Sequence, residues 1–202
     1  MPNKRITKIS QLPWVPRGLV LDPYAGSRCW WAGTAADVVF TDKFFILPGT
    51  IRADASNLPF DNGVFDEVWA DPPHWIRKSP PKRTCNFVNA TATAWSRHAD
   101  NRAHGYFGAY PTRDALRTEW KAVALELHRV TKPGAFLTWK SIYGAKTVAQ
   151  CCSADDLMDC LSPRWEFVDF RAFPSCVSWS NADTLWSRWK RLDAETESIS
   201  TH

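Results

Sequence analysis

Four short apolar segments, each closed by an aspartate, occur between residues 18 and 71 of the chain. Apolar runs of this kind predict strands buried on both faces, which is typical of parallel sheets. Because the carboxyl ends of parallel strands meet at one edge, we expect the four carboxylates to converge there. This pattern indicates a doubly wound α/β domain, in which ligands bind at that edge. The segments are residues 18–22, 38–42, 50–54 and 64–71, ending at or near Asp22, Asp42, Asp54 and Asp71.

The second half of the sequence predicts two helices and three further strands. Thr112 is suited to cap a helix with an apolar stripe, and residues 132–134 (KPG) end that helix. Ser153 and Asp156 have capping-box spacing before a helix at 154–161. The remaining strands are predicted at 135–139, 165–170 and 184–189, the last two suited to antiparallel pairing.

The chain has 202 residues, enough for one domain with its own core. We predict an N-terminal arm at 1–17, the α/β domain at 18–192 with an insertion at 75–111, and a flexible tail at 193–202. None of the six cysteines forms a C-x-x-C pair, so no metal site is expected. The sequence shows no secretory signal and no apolar run near the ~20 residues that span a bilayer, so we expect a cytoplasmic protein.

The insertion and the residues after it are basic and rich in aromatic side chains. Between residues 75 and 117, eight Lys and Arg stand against two Asp, in a chain of net charge +4. Such cations attract backbone phosphates, and aromatic rings stack on bases. We therefore predict nucleic acid as the partner. The expected contact residues are Trp75, Arg77, Lys78, Lys82, Arg83, Arg97 and Arg102.

The turn after the first strand, residues 22–27 (DPYAGS), is suited to ligand binding. Gly26 lets a ligand approach the backbone closely. The G-x-G-x-x-G fingerprint and the phosphate loop are absent from the sequence, which disfavours a pyrophosphate ligand. An acidic edge favours a ligand with a cationic or hydroxyl-rich face.

Four segments, in this order, resemble motifs of the class I amino-methyltransferases that use S-adenosyl-L-methionine (AdoMet). The turn at 22–27 resembles D-P-F-x-G-S-G, and residues 71–74 (DPPH) resemble the catalytic D-P-P-[Y/F/W]. Residues 54–66 resemble D-x-x-x-L-P-F-x-D-x-x-F-D, and residues 129–134 resemble R-V-L-K-P-G-G. Residues 26–31, taken with DPPH, are similar to a phage and prophage DNA methyltransferase group.

The resemblance covers roughly residues 18–140 and departs from the pattern at two positions. Arg28 stands where a glycine is expected, and His74 replaces an aromatic residue. The resemblance implies a Rossmann-like class I methyltransferase fold, with a mostly parallel seven-stranded sheet and helices on both faces. It also implies AdoMet as the cofactor. The implied cofactor-binding residues are Asp22 and Gly26 for the methionine part, Asp42 for the ribose, Asp54 and Ala55 for the adenine, and in addition Tyr24, Ala25, Lys43 and Asp71.

Asp71, Pro72, Pro73 and His74 are the expected catalytic residues. An exocyclic amine is a poor nucleophile because its lone pair is delocalised into the ring. Hydrogen-bond acceptors at the Asp71 carboxylate and the Pro72 carbonyl would favour a pyramidal nitrogen, and the prolines fix the turn. Two roles remain open for His74, stacking on the base or acting as a general base with a pKa near neutral.

The expected activity is N-methylation of adenine N6 or cytosine N4, in DNA ahead of RNA. A base within a duplex would have to be flipped out. Two alternatives remain. One is a small-molecule or protein methyltransferase with His74 as base, and the other is a non-catalytic methyltransferase fold that binds nucleic acid.

Overall fold

The structure is a computed structural model, and it describes residues 8–44, 46–74, 76, 110–143, 153–162, 164–174 and 183–193. Most of the predicted insertion at 75–111 lies outside the described residues, as does all but the first residue of the predicted tail at 193–202. In the described part, no helix is long and apolar enough to cross a membrane.

Seven strands of the described chain form one sheet in the order β3-β2-β1-β4-β5-β7-β6. Strands β1 to β5 pair in parallel, whereas β7 runs antiparallel to both β5 and β6. The predicted mostly parallel sheet is confirmed. The order reverses between β1 and β4, and open α/β sheets bind ligands beside such a reversal. The strands are β1 (Leu19–Asp22), β2 (Asp37–Asp42), β3 (Thr50–Arg52), β4 (Phe65–Ala70), β5 (Thr131–Tyr143), β6 (Trp165–Pro174) and β7 (Asp183–Arg191).

One face of the sheet is covered by helices α1 (Arg113–Val130) and α2 (Ala154–Leu161). The Thr112 hydroxyl caps α1 by accepting a backbone amide hydrogen bond of 3.1 Å. Ser153 and Asp156 form the predicted capping box of α2. The predicted apolar stripe of α1 is buried against the strands through Leu116, Trp120, Val123, Leu127 and Val130.

Strand β5 begins earlier than the sequence predicted. We expected a strand at 135–139 after a helix stop at 132–134, but β5 starts at Thr131, directly after α1. The Thr131 hydroxyl donates to the Leu127 carbonyl at 2.5 Å, which closes the last helical turn. A register shift between β4 and β5 then accommodates the KPG sequence as a bulge.

On the opposite face, the described chain supplies two 3₁₀ turns, Ile9–Gln11 and Cys29–Trp31. Trp31, Trp69 and Trp186 form a cluster with the first of these turns and with strand β1. Ile9 is only 2% exposed, so part of the predicted arm packs into the core.

Candidate active site

The four predicted aspartates lie at one edge of the sheet. Asp22 and Asp42 end β1 and β2, Asp71 follows β4 directly, and Asp54 lies two residues beyond β3. Since these four strands are parallel, all four carboxylates follow carboxyl ends at the same edge, as predicted. In the residues that the structure describes, no group of three or more His, Cys, Asp or Glu side chains is arranged to hold a metal ion.

Asp22 is a buried carboxylate at the point where the sheet order reverses, and it is 7% exposed. The Trp31 indole donates to its Oδ2 at 2.7 Å, and the Tyr24 amide donates to its Oδ1 at 3.0 Å. Burial raises the pKa of Asp22 to about 7, and the negative charges of Asp71 and Asp42 add to the rise. Asp22 therefore titrates near neutral pH.

Main-chain hydrogen bonds join the turn after β1 to the end of β2. The Gly26 amide donates to Asp42 Oδ2 at 3.0 Å, and the Ala25 amide donates to the Thr41 carbonyl at 3.0 Å. Gly26 has a φ of +46°, in the left-handed region that a glycine adopts without strain. The turn is thus fixed in place beside two of the carboxylates.

Arg28, which departs from the expected glycine, nevertheless adopts a glycine-like conformation. Its φ is +57°, and in the described chain no other non-glycine residue has a positive φ. Its guanidinium donates to the Pro48 carbonyl at 3.0 Å and to the Thr50 hydroxyl at 2.5 Å. It also lies 4.2 Å from the centroid of the Phe40 ring. These contacts hold a left-handed residue in place and connect the turn to β2 and to the loop before β3.

The two outer carboxylates are held by their own loops. Asp42 Oδ1 accepts the Phe44 amide at 2.8 Å. Asp54 accepts the Ser56 amide at 3.1 Å and pairs with Lys43 at 2.5 Å. Burial raises the pKa of Asp54, but the hydrogen bonds from Lys43 and Ser56 outweigh it and hold that pKa below its usual value. The Lys43 ammonium is therefore paired with the Asp54 carboxylate.

Three further predicted cofactor residues, Tyr24, Ala25 and Ala55, differ in their burial. Ala25 and Ala55 are buried. Tyr24 is half-buried. Burial raises its pKa well above the usual value, as do its electrostatic interactions with Tyr110 and Glu119, so its hydroxyl keeps its proton.

The DPPH turn is tied down by hydrogen bonds to its own carbonyls. His74 Nδ1 donates to the Pro72 carbonyl at 3.0 Å, and the Trp120 indole donates to the Pro73 carbonyl at 3.1 Å. His74 is buried, and burial lowers its pKa to about 4. The expectation of a near-neutral pKa is therefore wrong, because the ring is desolvated.

Sequence reasoning missed the partner of Asp71. Lys140, on β5, places Nζ 2.5 Å from Asp71 Oδ2. The same ammonium lies 4.3 Å from the centroid of the Trp30 ring and 5.9 Å from that of Trp186. One signal was available in the sequence: in the apolar stretch 135–143, Lys140 is the single charged residue.

The predicted nucleic-acid contacts Trp75, Arg77, Lys78, Lys82, Arg83, Arg97 and Arg102 all lie outside the described residues. Two other cations of the basic stretch are described. Arg113 pairs with Asp156 at 2.7 Å, and Arg117 pairs with Asp159. These two arginines join α1 to α2 and do not add to a free basic surface.

The sheet order, the parallel β1–β5 and the antiparallel β7 together define the class I methyltransferase fold. The aspartates and the DPPH turn occupy the ligand-binding edge of that fold. The chain thus has a Rossmann-like methyltransferase architecture.

Comparison with known proteins agrees with this fold class. No protein-family profile and no curated protein sequence matches the chain. Among solved structures, the N-methyltransferase NodS from Bradyrhizobium japonicum WM9, in complex with S-adenosyl-L-homocysteine, is 11% identical with a TM-score of 0.53, over 87% of this chain and 78% of that chain. TrmN from Thermus thermophilus is 13% identical with a TM-score of 0.51, over 86% of this chain and 44% of that chain.

A third similar structure has a different named activity. The [4+2]-cyclase SpnF is 12% identical with a TM-score of 0.53, over 86% of this chain and 75% of that chain. Because a cyclase and a methyltransferase share this architecture, the activity has to be argued from the site residues.

Proposed function

We propose that the chain is an AdoMet-dependent methyltransferase that acts on an exocyclic amine of a nucleic-acid base. The amine is adenine N6 or cytosine N4, in DNA ahead of RNA. The observation that carries the proposal is the position of the Asp71-Pro72 turn directly after β4, with its carboxylate close enough to act electrostatically on Asp22. A cofactor-binding carboxylate and an amine-binding carboxylate would then face the same ligand site.

AdoMet suits the carboxyl edge because it carries an ammonium, a sulfonium and two ribose hydroxyls. Asp22 would bind the ammonium of the methionine part. Asp42, held by its loop amides, is the acceptor for the ribose, and Asp54 lies on the adenine side. The buried carboxylate gains most from this cation, because an ammonium nearby stabilises its charged form.

The chemistry is a direct displacement. When bound, AdoMet would supply an electrophilic methyl: the amine lone pair would form the new N–C bond as the S–C bond breaks, and that bond's electron pair would stay on the sulfur of S-adenosyl-L-homocysteine. The methylated nitrogen then loses a proton to solvent. Asp71 accepts one amine N–H. The Pro72 carbonyl, which also accepts from His74 Nδ1, accepts the other through its second lone pair, and the two bonds direct the amine lone pair toward the methyl.

The test is mass spectrometry of nucleosides from DNA and RNA incubated with the protein and AdoMet. N6-methyladenine or N4-methylcytosine above the no-enzyme level is the expected result. Methyl transfer to a protein or small amine only would favour the first alternative, although the low pKa of His74 makes it a weak base. Absence of AdoMet binding by calorimetry would leave only the non-catalytic alternative.

A further inference from the structure

Lys140 is a buried cation that none of the recognised motifs includes. Its side chain is 10% exposed, and that of its partner Asp71 is 17% exposed. Burying an ammonium is costly unless it is paired, and a buried pair is weak evidence for a purely stabilising role. A lysine placed on the proposed amine-binding carboxylate therefore requires a functional account.

Two indoles complete the surroundings of this ammonium. Lys140 on β5 pairs in register with Trp186 on β7, and Trp30 comes from the 3₁₀ turn after β1. The two rings meet edge to face, with centroids 5.7 Å apart. Cation–π attraction and the carboxylate together fix the charge of Lys140 at the catalytic turn.

The groups around the Lys140 ammonium, Asp71 and the Trp30 and Trp186 rings, form a cage. The 3₁₀ turn Cys29–Trp31 connects this cage to the proposed cofactor site. Trp30 contacts the Lys140 ammonium, while its neighbour Trp31 donates to Asp22. The electrostatic field of Lys140 reaches the catalytic turn, since it helps to lower the pKa of His74 alongside the larger effect of burial. An incoming amine at Asp71 would meet the same positive charge.

We infer that Lys140 is a specificity residue that makes the site select uncharged aromatic amines and reject alkylammonium groups. The inference rests on the proposed function. Lys140 engages Asp71 Oδ2, so a substrate amine is accepted at Oδ1, a few ångströms from a fixed positive charge. A base amine is neutral, so the Lys140 ammonium does not repel it. A protonated alkylamine is repelled by it, at a cost on the order of 100-fold in affinity.

The test compares two oligonucleotides that differ only at the target amine. One carries adenine as the target base, and the other carries an aminomethyl group, an ammonium at neutral pH, in place of the adenine N6 amine. The comparison is repeated with cytosine and its N4 amine. Dissociation constants are measured with S-adenosyl-L-homocysteine present, so the readout does not depend on turnover. Rates of methyl transfer with AdoMet are measured in parallel.

The variants are Lys140→Met and Lys140→Gln, which remove the charge, and Lys140→Arg, which keeps it. Lys140→Gln retains a donor toward Asp71 and serves if Lys140→Met does not fold. Lys132→Met is the matched control, because Lys132 is an exposed lysine paired with Asp66, at the amino-terminal part of β4. Wild type, Lys132→Met and Lys140→Arg should prefer the neutral probe by about 100-fold. Neutral variants at 140 should reduce that preference at least tenfold, through tighter binding of the cationic probe.

An unchanged preference in folded Lys140→Met or Lys140→Gln would overturn the inference while leaving the proposed function intact. Binding of both probes without methyl transfer to either would instead contradict the proposed function, and the binding ratio would still decide the role of Lys140. Equal affinity of the wild-type protein for the cationic and the neutral probe would also overturn the inference about Lys140.

Discussion

Asp22 couples the proposed cofactor site to pH, because burial raises its pKa to about 7. Binding the AdoMet ammonium requires the ionised carboxylate. Below pH 7 the Asp22 carboxyl is mostly protonated and must lose its proton before it can bind the ammonium. The affinity for AdoMet should therefore fall as the solution is acidified. Between pH 7.0 and 5.5 we expect a loss of roughly tenfold, as measured by calorimetry, in a range where the amino group of AdoMet stays protonated.

The control for this pH effect is Asp22→Asn, which removes the titratable group and keeps one side-chain oxygen, enough to accept one of the two hydrogen bonds that Trp31 and Tyr24 donate. It should bind AdoMet more weakly and with little dependence on pH over the same range. A wild-type affinity that stays flat, or that rises on acidification, would remove Asp22 from the ammonium site.

Arg28 offers a test of backbone strain, because its φ of +57° is unfavourable for any residue with a Cβ. Arg28→Ala loses the guanidinium contacts and keeps the strain. Arg28→Gly loses the same contacts but relieves the backbone strain. We therefore expect Arg28→Gly to be more stable than Arg28→Ala by about 1 kcal/mol in urea unfolding. Equal stability would mean that the left-handed conformation carries no cost here.

At the level of residues, the sequence predicted the aspartates but not what surrounds Asp71. The aspartates could be found because each follows an apolar strand. The cage around Lys140 is built from Trp30 and Trp186, which are far apart in the chain and meet only through the sheet order. The low pKa of His74 likewise depends on burial, which a motif does not reveal.

At the level of elements, hydrophobic pattern and capping residues predicted the strands and both helices. The boundaries shifted where the main chain found partners beyond the pattern. β5 extends from Thr131 to Tyr143 because β4 pairs with its amino-terminal part and β7 with its carboxyl-terminal part. β3 ends at Arg52, and Asp54 leaves the strand to bind Ser56 and Lys43.

The contact between α1 and α2 depends on Asp156, which is buried and has three partners: Ser153, Arg113 and, at 3.7 Å, Arg117. It closes the capping box with Ser153 and accepts from Arg113 at 2.7 Å. Asp156→Ala should lower the free energy of unfolding by about 2 kcal/mol, from the lost cap and the lost charged hydrogen bond. The exposed Asp155 in the same turn is the matched control, and Asp155→Ala should cost far less. Similar losses of unfolding free energy in both variants would mean that the effect comes from negative charge in the first helical turn and not from the contacts of Asp156.

For the molecule as a whole, the fold positions a ligand site without specifying its chemistry. The parallel strands bring four carboxylates to one edge, and the reversal between β1 and β4 places Asp22 and Asp71 at the carboxyl ends of adjacent strands. Structures with this architecture include both a methyltransferase and a cyclase. The residues at the edge, rather than the sheet, therefore carry the argument for amine methylation.

The most direct test of that argument separates cofactor binding from methyl transfer in Asp71→Asn. Calorimetry gives the AdoMet affinity and nucleoside mass spectrometry gives the methylated base, with Asp37→Asn, at the amino end of β2, as the control. We predict that Asp71→Asn binds AdoMet within about threefold of wild type but transfers methyl at least ~100-fold more slowly, while Asp37→Asn matches wild type in both. Methylation by Asp71→Asn at the wild-type rate would contradict the account.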